Sequence, residues 1–209
     1  MTQYRVLTSG ELSLAYKKVL KEAFPQTELK PLSSMKSLMS KGIYDIMGLF
    51  AEGTPLGYIC LWKDEPASSH FCLIDYLCVP KDIRGRGAGS KILEATVKHY
   101  PADTVFIIEI EAPTGDEQED NLINRRLQFY LRNGAYIADY ETALFGVHYK
   151  TAVLTGHEVS EDVILTRHDG YYKRHMGGII YRKFVQIPLK PGEKPNPFST
   201  WHQLRRKSK

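Results

Sequence analysis

Residues 73–94 read LIDYLCVPKDIRGRGAGSKILE, and this stretch decides the fold. The run from Phe71 to Val79 is apolar and of strand length, and Pro80 ends it. Three glycines then fall within five residues, and apolar residues at helical spacing (Ile92, Leu93, Thr96, Val97) follow at once. The segment therefore reads as a strand, a tight glycine loop carrying two arginines, and a helix start. Glycines let backbone N–H groups approach an anion closely, and the helix N-terminus adds positive dipole. Arg84 and Arg86 suit a pyrophosphate through planar, multidentate donation. Loop and helix together form a diphosphate cradle.

The spacing excludes two common diphosphate sites. A dinucleotide fingerprint needs G-x-G-x-x-G at the first strand of a Rossmann half. Here the glycines are Gly85, Gly87 and Gly89, position 90 is Ser90, and the unit lies in mid-chain. The lysine and hydroxyl of a P-loop are also missing.

On the N-terminal side, Gln3 to Leu7 alternate as a strand and Glu11 to Phe24 follow a helical period ended by Pro25. A short helix is predicted over Leu32 to Ser40, then strands over Tyr44–Ala51 and Leu56–Trp62. On the C-terminal side, Val105–Ile110 is a strand, and a helix begins within Asp116–Asp120 and ends near Gly134. Tyr136–Ala143 and His148–Leu154 read as an antiparallel pair. Residues 158–187 are partly helical, with a break at Gly177-Gly178. This order predicts an α/β fold: a central mixed sheet flanked by helices, with a C-terminal extension. The expected division is 1–157 as the main domain, 158–188 as a partly helical extension, and 189–209 as a basic, proline-containing tail.

Composition narrows the function classes. The 209 residues are 43% hydrophobic and 25% charged, as in an ordinary globule. The net charge of +4 sits in the tail: residues 189–209 hold six Lys or Arg against one Glu, leaving 22 basic and 23 acidic residues in 1–188. A nucleic-acid enzyme carries its charge on the fold, so composition makes no case for one. No apolar run reaches the ~18 residues of a membrane span. Cys60, Cys72 and Cys78 cannot all pair and form no CxxC, and the N-terminus lacks a signal-peptide pattern, so a cytoplasmic protein with reduced thiols is expected. No HExxH pattern occurs among the seven histidines, and no metal is expected. Cys78 has no implied His partner and reads as a buried strand cysteine rather than a nucleophile.

At the level of motifs the chain resembles the GNAT superfamily of N-acetyltransferases. Arg84-Gly85-Arg86-Gly87-Ala88-Gly89 matches the superfamily's R/Q-x-x-G-x-G/A signature, preceded by a strand ending in Val79-Pro80. The run from Arg126 through Tyr130 to Gly134 is similar to its later LYxxxGF helix, and the element order agrees over about residues 3–155. The resemblance implies acetyl-CoA as donor and direct transfer to an amine acceptor. It assigns the acetyl and pantetheine contacts to Leu77, Cys78 and Val79. The pyrophosphate goes to Arg84, Gly85, Arg86, Gly87, Ala88, Gly89 and Ser90. Tyr130 becomes the acid that protonates the departing thiolate, and Glu109 the base that deprotonates the ammonium. Glu111, two residues on, lies on the same strand face and is a second carboxylate for a cationic acceptor. The acidic Pro113–Asp120 loop departs from the family, which often has an Asn there. Four matters stay open: whether Glu109, Glu111 or an ordered water is the base, a non-catalytic acyl-CoA sensor on the same fold, a homodimer, and the identity of the acceptor.

Overall fold

The computed structural model describes residues 2–26, 28–66 and 70–197. They fall into two compact units, the described residues within 2–104 and those within 105–197.

In the first unit four antiparallel strands, β1 (Thr2–Val6), β2 (Tyr44–Ala51), β3 (Thr54–Lys63) and β4 (Phe71–Cys78), pair in sequence order. Helix α1 (Ser9–Ala15) runs through a π-turn at Tyr16–Leu20 into α2 (Lys21–Ala23). It starts two residues before the apolar period suggests, because Thr8 and Glu11 form a capping box. Arg5, at 2.6 Å, and the Thr8 backbone hold the Glu11 carboxyl down to about 2. Helix α3 spans Leu32–Ser40, and α4 spans Ala88–His99. The buried residues of α4 are Ala88, Ile92, Leu93 and Thr96, the stripe expected of a helix covering a sheet. Leu12, Met35, Ile46, Ile59 and Leu61 are among the fully buried core side chains.

β4 carries one extra residue relative to β3. Cys60 pairs with Tyr76 and Leu61 with Ile74, so Asp75 forms a bulge three residues before the strand ends at Cys78.

The second unit is an antiparallel sheet in the order β5 (Val105–Glu111), β7 (Val147–Leu154), β6 (Tyr136–Leu144), β8 (Val185–Gln186). Its helices are α5 (Glu117–Arg132), α6 (Glu161–His175) and α7 (Gly178–Phe184). The acidic loop before α5 is a helix start: Asp116 caps the N–H groups of Gln118 and Glu119, and Asp120 accepts from Thr114 and Gly115. Two-residue β8 is too short to show a period in the sequence. Part of the basic tail is tied to this unit, since Leu189 donates to the Glu141 carbonyl and Asn196 to the Gln186 side chain. The tail from 198 onward lies outside the described residues.

Candidate active site

The predicted donor residues are contiguous at the end of β4 and the start of α4. Leu77 and Cys78 close the strand, Val79 and Pro80 lead into a single 3-10 turn at Lys81–Ile83, and Arg84 ends that turn. The Arg84 Nε donates to the Val79 carbonyl at 2.9 Å, which pins the arginine across the loop. Gly85 (φ +78°) and Gly87 (φ +79°) take left-handed backbone, and a Cβ at either would meet nothing within 4 Å. Gly87 is the N-cap of α4 and no side chain caps the helix. Exposed Arg84 and Arg86 flank a concentration of backbone donors with open space above two glycines. This fits a pyrophosphate.

Gly57 on β3 is a residue that the sequence reading passed over. A Cβ there would stand 2.5 Å from the Cys78 carbonyl oxygen and 2.7 Å from Ile92 Cδ1. Only glycine lets β3 approach the strand end and the helix that form the cradle; an isolated glycine inside an apolar strand is its signal. Gly57→Ala is expected to lower stability by about 1–3 kcal/mol, the usual cost of overpacking. Urea denaturation of the two proteins checks it, and an unchanged midpoint contradicts the close approach.

Cys78 is buried, and burial pushes its thiol up to about 12. It is a protonated core side chain at neutral pH, as expected.

In the second unit Glu109 and Glu111 share one face of β5, and each is engaged by a different helix. Arg126 of α5 donates to Glu111 at 3.0 Å. Glu109, with a side chain 14% exposed, accepts from Tyr172 at 2.8 and 2.9 Å and lies 3.0 Å from His168 Nε2, both residues belonging to α6. The pairing of Glu109 with a buried His and Tyr beyond residue 157 was not anticipated. Its only sequence signal is a His and a Tyr four apart on a helical face.

Tyr130 lies in the last turn of α5, half-buried, with its ring edge-on to Phe129 at 5.1 Å. Burial is the main cause pushing its phenol above the ordinary tyrosine value; Arg126 opposes the rise and Glu111 adds to it. The helix ends in a full Schellman motif: Ala135 N–H donates to the Tyr130 carbonyl, Gly134 N–H to that of Leu131, and Gly134 has φ +91°. That motif fixes the turn from which Tyr130 projects.

Among the described residues, no helix is long and apolar enough to cross a membrane. No curated protein sequence matches the chain. Solved structures do. A GNAT-family protein from Bacteroides thetaiotaomicron is 18% identical, with 83% of this chain and 98% of that one covered and a TM-score of 0.63. The ribosomal-protein-S18-alanine N-acetyltransferase of Escherichia coli is 14% identical over 78% of this chain and 98% of its own, with a TM-score of 0.55. The Salmonella typhimurium protein YncA, solved with its cofactor acetyl-CoA, is 15% identical over 77% of this chain and 96% of its own, with a TM-score of 0.50. These likenesses bear out the expected fold, a mixed α/β structure with a central sheet flanked by helices. The family model described as "Acetyltransferase (GNAT) family" matches residues 15–140, from the end of α1 into β6, and the chain belongs to that family.

Proposed function

We propose that this protein is an acetyl-CoA-dependent N-acetyltransferase that moves an acetyl group directly to a primary amine. The observation that carries the reading is the uncapped glycine loop at the start of α4, flanked by Arg84 and Arg86, in a chain of this family. Acetyl-CoA supplies an activated acetyl group as a thioester. The backbone of Gly85 through Ser90 holds the pyrophosphate with Arg84 and Arg86, and Leu77, Cys78 and Val79 line the acetyl and pantetheine arm.

Glu109 takes the proton from the acceptor's ammonium, because an ammonium has no lone pair with which to attack. The N–H bond breaks, an O–H bond forms on Glu109, and the freed electron pair makes the new C–N bond as the C–S bond breaks. Tyr130 gives its phenolic proton to the sulfur, the second proton lost by the new amide nitrogen restores the phenol, and the proton on Glu109 passes to solvent. A phenol is protonated at neutral pH, so Tyr130 has a proton to give when the thiolate departs. Residues 1–157 carry the donor loop, Glu109 and Tyr130 in this reading, and the protein works in the cytoplasm.

Thiol release from acetyl-CoA against pooled primary amines tests the proposal. Amine-dependent release supports it. Tight acetyl-CoA binding without release by any amine replaces it with an acyl-CoA sensor on the same fold.

The cradle has its own test. Acetyl-CoA at about a hundred times its dissociation constant stabilises a folded state that binds it selectively by about 2.7 kcal/mol. Gly87→Val places a branched side chain at φ +79°, which itself costs about 1–2 kcal/mol, so each protein is compared with its own ligand-free baseline. The thermal shift is expected to vanish in the variant, and an undiminished shift removes Gly87 from the phosphate site.

A further inference from the structure

We infer that helix α6 is part of the active site: His168 and Tyr172 are positioning residues that hold the Glu109 carboxylate for the acceptor's ammonium. The inference rests on the transferase reading above. It concerns a helix, Glu161–His175, that lies wholly beyond the residues matched by the family model.

Three neighbouring strands and one helix build the cluster. Glu109 on β5 pairs across with Thr151 on β7. On the other side of β7 the ladder breaks between Ile137 and Glu141 of β6, so that Ala138, Asp139 and Tyr140 stand opposite a single β7 residue, Thr151. Such an irregularity re-aims a side chain. Tyr140, 8% exposed, reaches His168 Nδ1 at 3.0 Å. The other ring nitrogen, Nε2, lies 3.0 Å from Glu109 Oε1, and the Tyr172 hydroxyl donates to both Glu109 oxygens. His168 is fully buried and Tyr172 is 4% exposed, on the same helix face because they are four residues apart.

A buried imidazole needs a partner at each nitrogen. With the ring neutral, one arrangement satisfies every group: Tyr140 donates to Nδ1, Nε2–H donates to Glu109, and Tyr172 donates to Glu109. Glu109 is then oriented by two side chains of one helix, and lone pairs remain on Oε2. An apolar core at this place would have cost less than a buried His beside a carboxylate. The arrangement makes sense as one that fixes the direction of a carboxylate that must meet a proton donor.

Two measurements test the inference. The first needs no turnover: nitrogen-15 spectra of ring-labelled histidine, with the His168 signal assigned by its loss in His168→Gln. Hydrogen on Nε2 is expected. A bare Nε2 overturns the network. The second is a double-mutant cycle on kcat with Tyr172→Phe, which keeps the ring, and Glu109→Gln. Tyr172→Phe is expected to lower kcat about 10- to 100-fold, the range for losing a hydrogen bond to a charged group. Acetyl-CoA affinity should change by no more than about twofold, and adding Tyr172→Phe to Glu109→Gln should cost nothing further. Additive losses make Tyr172 a packing residue and overturn the positioning role while leaving the transferase reading intact. A wild-type protein that releases no thiol with any amine instead overturns that reading, and the positioning role with it, whatever the ring spectrum shows.

Discussion

Tyr130→Phe is expected to lower turnover by about 10²–10⁴-fold, the range of a lost general acid or base. The substitution keeps the ring and its edge-on contact with Phe129 and removes only the hydroxyl. Tyr130 projects from a turn locked by the Schellman motif, so the phenylalanine ring has no reason to move. Acetyl-CoA affinity should change by less than about tenfold, because a group used in the transition state affects kcat rather than binding. Stopped-flow turnover and donor titration of the same two proteins give both quantities. Wild-type turnover in the variant assigns the proton on sulfur to water and leaves Tyr130 as packing. A folded variant that no longer binds acetyl-CoA makes the hydroxyl a donor-binding group instead.

The elements that position this tyrosine were legible because their signals are local. Gly134 marks the helix end through its left-handed backbone, and Asp116 marks the start through its carboxylate. The glycine loop after β4 was legible for the same reason: Gly85 and Gly87 adopt the backbone that their identity permits and that other residues resist. What escaped the sequence depends on contacts between distant segments. Glu109 and His168 are 59 residues apart, and nothing in the mostly apolar strand says which helix will supply a partner for either of its two carboxylates. The α6 stripe of Ile164, His168, Tyr171 and Tyr172 does have helical spacing, yet its polar members look like solvated positions until the sheet beneath them is known. The bulges in β4 and β6 are equally silent. An extra residue in a strand changes register without changing the alternation that marks the strand.

The β4 bulge sets up the largest expected effect on stability, a loss of about 3–5 kcal/mol in Asp75→Ala. The extra residue places a carboxylate, 11% exposed, against the ammonium of Lys30, 5% exposed, at 2.6 and 2.8 Å. The Tyr44 hydroxyl also donates to Asp75, and burial, reinforced by that carboxylate, pushes the Tyr44 phenol well up. Lys30 Nζ lies over the rings of Trp62 at 4.7 Å and Tyr76 at 5.4 Å. The backbone around Lys30 is tied to the same strand, since Lys30 N–H donates to the Tyr76 hydroxyl and that hydroxyl donates to the Glu28 carbonyl. Removing the carboxylate strands a buried ammonium among aromatic rings that offset only part of its desolvation. Against a typical total of about 5–15 kcal/mol, that loss brings the fold near its limit. The double variant Lys30→Met/Asp75→Ala should lose less than the sum of the single changes, because it removes both charges from the interior. Equilibrium denaturation of the four proteins measures the coupling. A cost below about 1 kcal/mol for Asp75→Ala is the value of a solvated surface pair, and it would mean that water reaches Lys30 and that the bulge is held by backbone pairing alone.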